Sequence, residues 1–183
     1  MRLILFSGGV ESTALLTIAE KQDILLLSDL PFAKYQTGYD KSKCEQIADY
    51  FGNRIIFYEC CMPDDGDKWQ HQIHWLMTAA HLYVNSRNDI TEVWHGRSLD
   101  ENRKMSSQKI DTYARHEEAW RILNPKIKLF KPLEFLSKKQ QWNLIPDEVK
   151  PLVNSCIYNN ECGTCHKCKE FKTQIGVDNE EHV

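Results

Sequence analysis

The sequence has no long hydrophobic run. No apolar stretch approaches the ~20 residues that cross a bilayer, so no membrane partner is expected. The opening Met1-Arg2-Leu3-Ile4-Leu5-Phe6 is too short for a signal-peptide core and runs into Ser-Gly-Gly. An excess of one charge is also missing: 23 Lys and Arg stand against 26 Asp and Glu, a net charge of -3. That balance gives no whole-protein attraction to nucleic acid or to an anionic surface, and no direct nucleic-acid partner is expected. The cysteine count is seven. An odd number argues against a closed disulfide framework. These absences together predict a cytoplasmic protein whose thiols are reduced or metal-bound. Internal repeats and low-complexity segments are lacking too. What remains is a chain of 183 residues, 42% hydrophobic and 27% charged, long enough for one domain with a proper core.

Periodicity supplies the organisation. Leu3 to Phe6, Asp23 to Leu30, Arg54 to Cys60 and Ile90 to His95 read as short buried strands, with Ile127 to Phe130 as a fifth. Between them, helices are predicted over Ser12–Glu20, Tyr39–Phe51 (closed by Gly52), Gln70–Asn85 and Lys109–Leu123. The last is expected to turn Ile110, Tyr113, Ala114 and Trp120 inward. Alternation of this kind indicates an α/β fold with a parallel sheet covered on both faces, ligands binding beyond the carboxyl ends of the strands. From Leu136 the pattern changes: Ser137 to Gln140 is a capping-box candidate, and Pro146 and Pro151 break the chain beyond it. Residues 1–135 are therefore read as the core and 136–183 as a helical and metal-binding segment of the same domain.

Ser7-Gly8-Gly9 lies between the first strand and the first helix. Glycines let backbone amides approach a ligand, a helix start offers unpaired N–H groups, and Ser7, Ser12 and Thr13 add hydroxyls. This is the composition of a phosphate cradle. It lacks the Lys of a Walker A loop and the third glycine of a dinucleotide fingerprint. Alone, two glycines after a strand suit an ordinary turn equally well. The tail carries a second pattern: Cys156, Cys162, Cys165 and Cys168 succeed one another as C-x5-C-x2-C-x2-C. Four thiolates close a tetrahedral zinc site with no open position, which makes such a zinc structural; an iron–sulfur cluster is the main competitor. Cys44, Cys60 and Cys61 fall in the helix and strand pattern and read as small core residues or spare thiols.

The order Ser7-Gly8-Gly9-Val10-Glu11-Ser12-Thr13 resembles the pyrophosphate loop (PP-loop) of the N-type ATP pyrophosphatases. Paired with the C-terminal cysteine cluster, it resembles the 7-cyano-7-deazaguanine synthase (QueC-like) family. "VWHGRSLDEN" and "KPLEFLSKKQQW" fall in matching order. The resemblance implies a Rossmann-like sheet, with Ser7, Gly8, Gly9, Val10, Glu11, Ser12 and Thr13 holding ATP. It implies that Glu11 meets Mg²⁺, since a carboxylate beside bare phosphate is repelled. Lys138 is the position matching a phosphate-contacting lysine. The family usually has Asp where this chain has Glu11. Two pocket-forming segments are also replaced, by "DLPFAKYQTGYD" and "KWQHQIHW".

The implied activity is ATP-dependent ligation. The carboxylate of 7-carboxy-7-deazaguanine is adenylated, ammonia gives the amide, and a second ATP-dependent step gives the nitrile used in queuosine biosynthesis. Two alternatives stand beside it. One is transfer of the activated acid to a protein amine, as expected of relatives in antiviral defence operons. The other is a non-catalytic nucleotide-binding module. Family members are often dimers, so a homodimer is a further expectation. His95, ending a strand, is a substrate-contact candidate, with Arg97 and Asp100 after it; Glu101 and Arg103 suit a solvated charge run. His71, His74 and His81 suit surface or packing roles better than a shared metal. Trp69 and Trp75 suit core packing, with stacking on a purine-like ring as the alternative.

Overall fold

The computed structural model describes residues 1–29, 40–59, 72–100, 107–154 and 162–176. Its five strands are β1 (Arg2–Leu5), β2 (Ile24–Asp29), β3 (Arg54–Glu59), β4 (Glu92–His95) and β5 (Lys128–Phe130). They form one sheet in the order β3-β2-β1-β4-β5, and every neighbouring pair is parallel. The register runs Leu3↔Ile24 on one side of β1 and Leu3↔Val93 on the other. The helices are α1 (Val10–Leu16), α2 (Lys41–Phe51), α3 (Gln72–Asn85), α4 (Ser107–Leu123), α5 (Lys138–Leu144) and α6 (His166–Ile175), with a 3-10 turn at Lys150–Leu152.

Alternate residues of each strand point to opposite faces, and two cores result. Ile4, Phe6, Leu25, Leu27 and Trp94 pack with Val10, Ala14 and Leu15 of α1 and with Ile47 and Ala48 of α2. Leu3, Leu5, Ile24, Leu26 and Val93 pack with Leu76, Met77, Ala80 and Val84 of α3 and Trp120 of α4. Burial of both faces is why β1 and β2 read as apolar runs. The caps are equally local. Asp40 accepts the Lys43 N–H at the start of α2, and Gly52, at φ 72°, ends that helix in the left-handed region. Ser137 and Gln140 form the expected capping box of α5.

Two expectations need correction. The first helix ends at Leu16 rather than Glu20. Thr17 donates to Ala14 O at 2.8 Å, and the buried Asp23 carboxylate accepts the backbone N–H groups of Glu20 and Arg2, pulling residues 17–23 into turns that feed β2. Ile18 is left exposed. Ala114 is likewise exposed while Trp120 is buried. At ~100° per residue, six positions leave the two roughly 120° apart around the helix axis, so they point to different sides. The segment after Leu136 also contributes to the core. Ile145, Val149, Val153 and Ile175 are all buried in the cluster that holds α1 and α2.

Candidate functional site

The strand order places β1 between β2 and β4, so chain connections leave β1 in opposite directions. A parallel sheet opens into a crevice at such a point, beyond the carboxyl ends of the two strands. The residues there are Ser7-Gly8-Gly9 after β1 and Gly96-Arg97-Ser98 after β4.

The three glycines play different parts. Gly8 has φ 70°, and a Cβ on it would lie 2.8 Å from the Cys44 Sγ, so both its conformation and its surroundings demand glycine. A Cβ on Gly96 would meet the Glu11 carbonyl carbon at 2.6 Å and the Ser12 nitrogen at 2.7 Å. The chain after β4 thus runs against the backbone of α1. Gly9 has neither constraint. Its φ is -81°, open to any residue, and a Cβ would find nothing nearer than Ser7 Oγ at 3.7 Å and Asn154 O at 3.9 Å. The fold leaves space at Gly9 that a side chain would fill.

The serines hold this turn together. The Ser12 hydroxyl donates to Gly9 O at 3.2 Å and accepts the Ser7 N–H at 3.2 Å, and the Ser7 and Ser12 hydroxyls lie 3.2 Å apart. Ser12 is therefore a staple across the loop. Val10 and Thr13 are fully buried, and among the described residues Thr13 Oγ1 has no hydrogen-bond partner.

Glu11 meets Lys138 from the other end of the chain: Nζ lies 2.9 Å from Oε1, with the lysine side chain 4% exposed and the glutamate 16%. The Lys138 N–H donates to Asp100 Oδ2 at 2.7 Å, so Asp100 fixes the start of α5. Gln141, one turn on, is fully buried and donates to Arg97 O at 2.7 Å and Leu133 O at 2.8 Å. Asn154 donates its N–H to Gly8 O at 3.0 Å. Gln141 and Asn154 carry no sequence signal: each acts through contacts to residues remote in the chain, which periodicity does not register.

His95 is 5% exposed and shares the strand face of Val93, toward α3 and α4. Burial, then the charges of Lys131 and Arg97, outweigh Glu117 and hold its pKa down to about 4, so the imidazole is neutral at pH 7. Arg97 Nη1 lies 3.9 Å from Glu117 Oε1, and Lys131 bridges Glu117 at 2.7 Å and Glu134 at 3.3 Å. Ser98 is fully buried, and among the described residues its hydroxyl has no hydrogen-bond partner. Cys44, under Gly8, is driven up to about 12 by burial and by Asp40 and Glu45, so it stays a protonated thiol.

The cysteine cluster is partly in view. The Sγ atoms of Cys162, Cys165 and Cys168 all lie within 4.8 Å of one another. Cys165 N–H donates to Cys162 Sγ, and Cys168 N–H to Cys165 Sγ, each at 3.4 Å. Three thiolates at ~2.3 Å from a tetrahedral zinc stand roughly 3.8 Å apart, so the spacing fits a metal ion of that kind. Cys156 lies outside the described residues, as do Cys60, Cys61, Trp69, His71, Glu101 and Arg103. His74 and Trp75 fall in α3. His81 Nδ1 is 3.1 Å from Asn124 Oδ1, a packing role. Among the described residues, no helix is long and apolar enough to cross a membrane. Compared with protein-family models and with curated proteins, the chain matches none, so its own residues carry the functional reading.

Proposed function

We propose that this chain is an ATP-dependent carbon–nitrogen ligase of the 7-cyano-7-deazaguanine synthase type, built on a PP-loop. The observation that carries the reading is Gly9. Neither its dihedral nor its neighbours require glycine, yet a side chain there would fill the mouth of the turn. A turn kept open for phosphate accounts for it. The Glu11–Lys138 pair beside the turn supports the same reading, because it supplies one group for a cation and one for an anion.

In this reading the phosphates of ATP lie against the Ser7–Ser12 turn. Mg²⁺ supplies positive charge that tempers repulsion between the phosphates and the attacking carboxylate; Glu11 is the residue to hold it. A carboxylate oxygen of 7-carboxy-7-deazaguanine attacks the α-phosphorus, the bond to the β-phosphate oxygen breaks, and pyrophosphate leaves. Lys138 neutralises charge building on the leaving group. Ammonia then adds to the acyl carbon, AMP departs with the carbon–oxygen pair, and a proton goes to solvent, leaving the amide. The amide oxygen attacks the α-phosphorus of a second ATP with release of pyrophosphate, and loss of AMP and protons then gives the nitrile. The chain's work is positioning and charge neutralisation. Zinc on the tail cysteines is structural.

The test is mass spectrometry of products from protein, ATP, Mg²⁺ and 7-carboxy-7-deazaguanine, with and without ammonia. Pyrophosphate release and ammonia-dependent amide and nitrile are expected. A mass-shifted protein instead of free amide identifies a protein amine as acceptor. Nucleotide binding with no pyrophosphate release under any condition refutes the ligase and leaves a binding module. Gly9→Val is the control: it should fold, by circular dichroism, and release no pyrophosphate.

A further inference from the structure

The tail reaches the phosphate turn by two routes. Asn154, buried, ties its N–H to Gly8 O directly. The other route passes through two helices. Cys165 caps the first turn of α6 with its sulfur. On the next turn, Phe171 sets its ring edge-to-face against Trp142 of α5, centroids 5.2 Å apart at 89°. The first residue of α5 is Lys138, whose ammonium meets Glu11 inside the turn. Ile175, near the end of α6, is buried in the cluster that contains Val10 and Ala14 of α1. The helix headed by the three thiols is therefore linked through Phe171, Trp142 and Lys138 to the Glu11 end of the Ser7–Ser12 segment, while Asn154 holds its Gly8 end.

We propose that occupancy of the Cys162–Cys165–Cys168 cluster by a thiophilic divalent cation sets the geometry of the Ser7–Ser12 turn and so governs how tightly the turn holds nucleotide. The physical cause is the marginal order of α6. Its ten residues are fewer than the ~12–15 at which an isolated helix becomes even marginally stable in water. Its order rests on packing and on its cap. Without a cation the three sulfurs are held by N–H···S contacts at 3.4 Å, which are weak, whereas a cation bound to all three fixes the cap. A loosened α6 withdraws Phe171 from Trp142. Helix α5 then loses support on the side opposite its capping box, and Lys138 is less firmly held against Glu11. The mechanical part stands on the contacts alone; the nucleotide part rests on the ATP reading above.

The experiment compares zinc-loaded protein, protein stripped by a chelator, and zinc-loaded Phe171→Ala. Hydrogen exchange of a peptide covering Ser7–Leu16 is measured without nucleotide, and binding of a non-hydrolysable Mg·ATP analogue is measured by calorimetry. Stripping should speed exchange in that peptide and weaken the analogue, each by about tenfold, within the usual range of coupling between sites. Phe171→Ala should keep its zinc, by metal analysis, and show the same changes, because it cuts the link and leaves the thiols. If stripping unfolds the whole chain, by circular dichroism, Phe171→Ala decides alone. Unchanged exchange at Ser7–Leu16 in Phe171→Ala overturns the coupling, as does protein that takes up no zinc. Faster exchange together with no analogue binding in any form keeps the mechanical coupling and refutes the ATP reading.

Discussion

Glu11→Gln should destabilise the protein more than Lys138→Met, and the double variant should be more stable than Glu11→Gln alone. The pair sits at 2.9 Å. At an effective dielectric of ~20, Coulomb attraction at that distance is about 6 kcal/mol. Desolvation of both ions offsets most of it, so the net value of the intact pair is small. The asymmetry of burial sets the outcome of breaking it. Lys138 is 4% exposed, so Glu11→Gln removes a carboxylate from beside a buried ammonium; Glu11 is 16% exposed, so Lys138→Met leaves a carboxylate that water reaches. Removal of one partner of a buried pair costs about 3–5 kcal/mol. The upper part of that range applies to Glu11→Gln and less than the lower end to Lys138→Met. For a chain of this size, ~4 kcal/mol lowers Tm by roughly 8–16 °C. Calorimetric unfolding of the two single variants and the double closes the cycle. Single-variant losses that simply add in the double variant mean that the groups are not coupled, and the charge-pair account of this site is then wrong. Glu11→Asp keeps the charge, and the double-variant background tests whether any loss of pyrophosphate release belongs to chemistry or to folding.

Gly96→Ala brings a Cβ within 2.6–2.8 Å of the α1 backbone; a loss of about 1–3 kcal/mol or more is expected by denaturant unfolding, and a loss under ~0.5 kcal/mol refutes the close approach. His95 has a folded pKa of about 4 against an ordinary 6.5, so its neutral form favours the fold: stability is full above pH 6.5 and falls as pH drops toward 4, by up to about 3 kcal/mol. His95→Gln should flatten that part of the stability–pH curve, and equal acid losses in both proteins refute the assignment. Cys44, held up at about 12, should resist alkylation at pH 8 in the native state and react once the chain is unfolded, as mapped by peptide mass spectrometry; native-state labelling refutes its burial under Gly8.

Elements that depend on neighbours along the chain are legible in the sequence. The central strands β1 and β2 stand out because both of their faces are buried, and α2 and α5 because their caps are built from residues three positions away. Periodicity makes the first helix four residues too long because Ile18 and Ala19 continue its pattern, whereas Asp23 supplies the competing hydrogen bonds from further along the chain. The site divides in the same way. Ser7, Gly8 and Gly9 are visible as a turn composition. Nothing in the sequence ranks those glycines, and only the surroundings separate Gly8, which the fold demands, from Gly9, which it does not. The Glu11–Lys138 pair, Asn154 on Gly8 and Gln141 on Arg97 all join residues far apart in sequence. The tail reads as a segment organised around metal. Val149, Val153 and Ile175 also give it core contacts of its own.

The position of β1 also constrains how the chain reaches this fold. Of the five described strands it comes earliest in the chain and lies in the middle of the sheet, with Arg2 opposite Glu92 across one edge and Leu3 opposite Ile24 across the other. During synthesis one edge of β1 is covered early, by β2. The other stays open until β4 has left the ribosome, and Val153 and Ile175 join the core beside α1 later still. Pairings this distant in sequence are slow to form, because loop closure opposes them before contact rewards them. An apolar strand with an open edge is an aggregation hazard over that interval. Nascent chains stopped between β2 and β4 are the ones that carry this open edge.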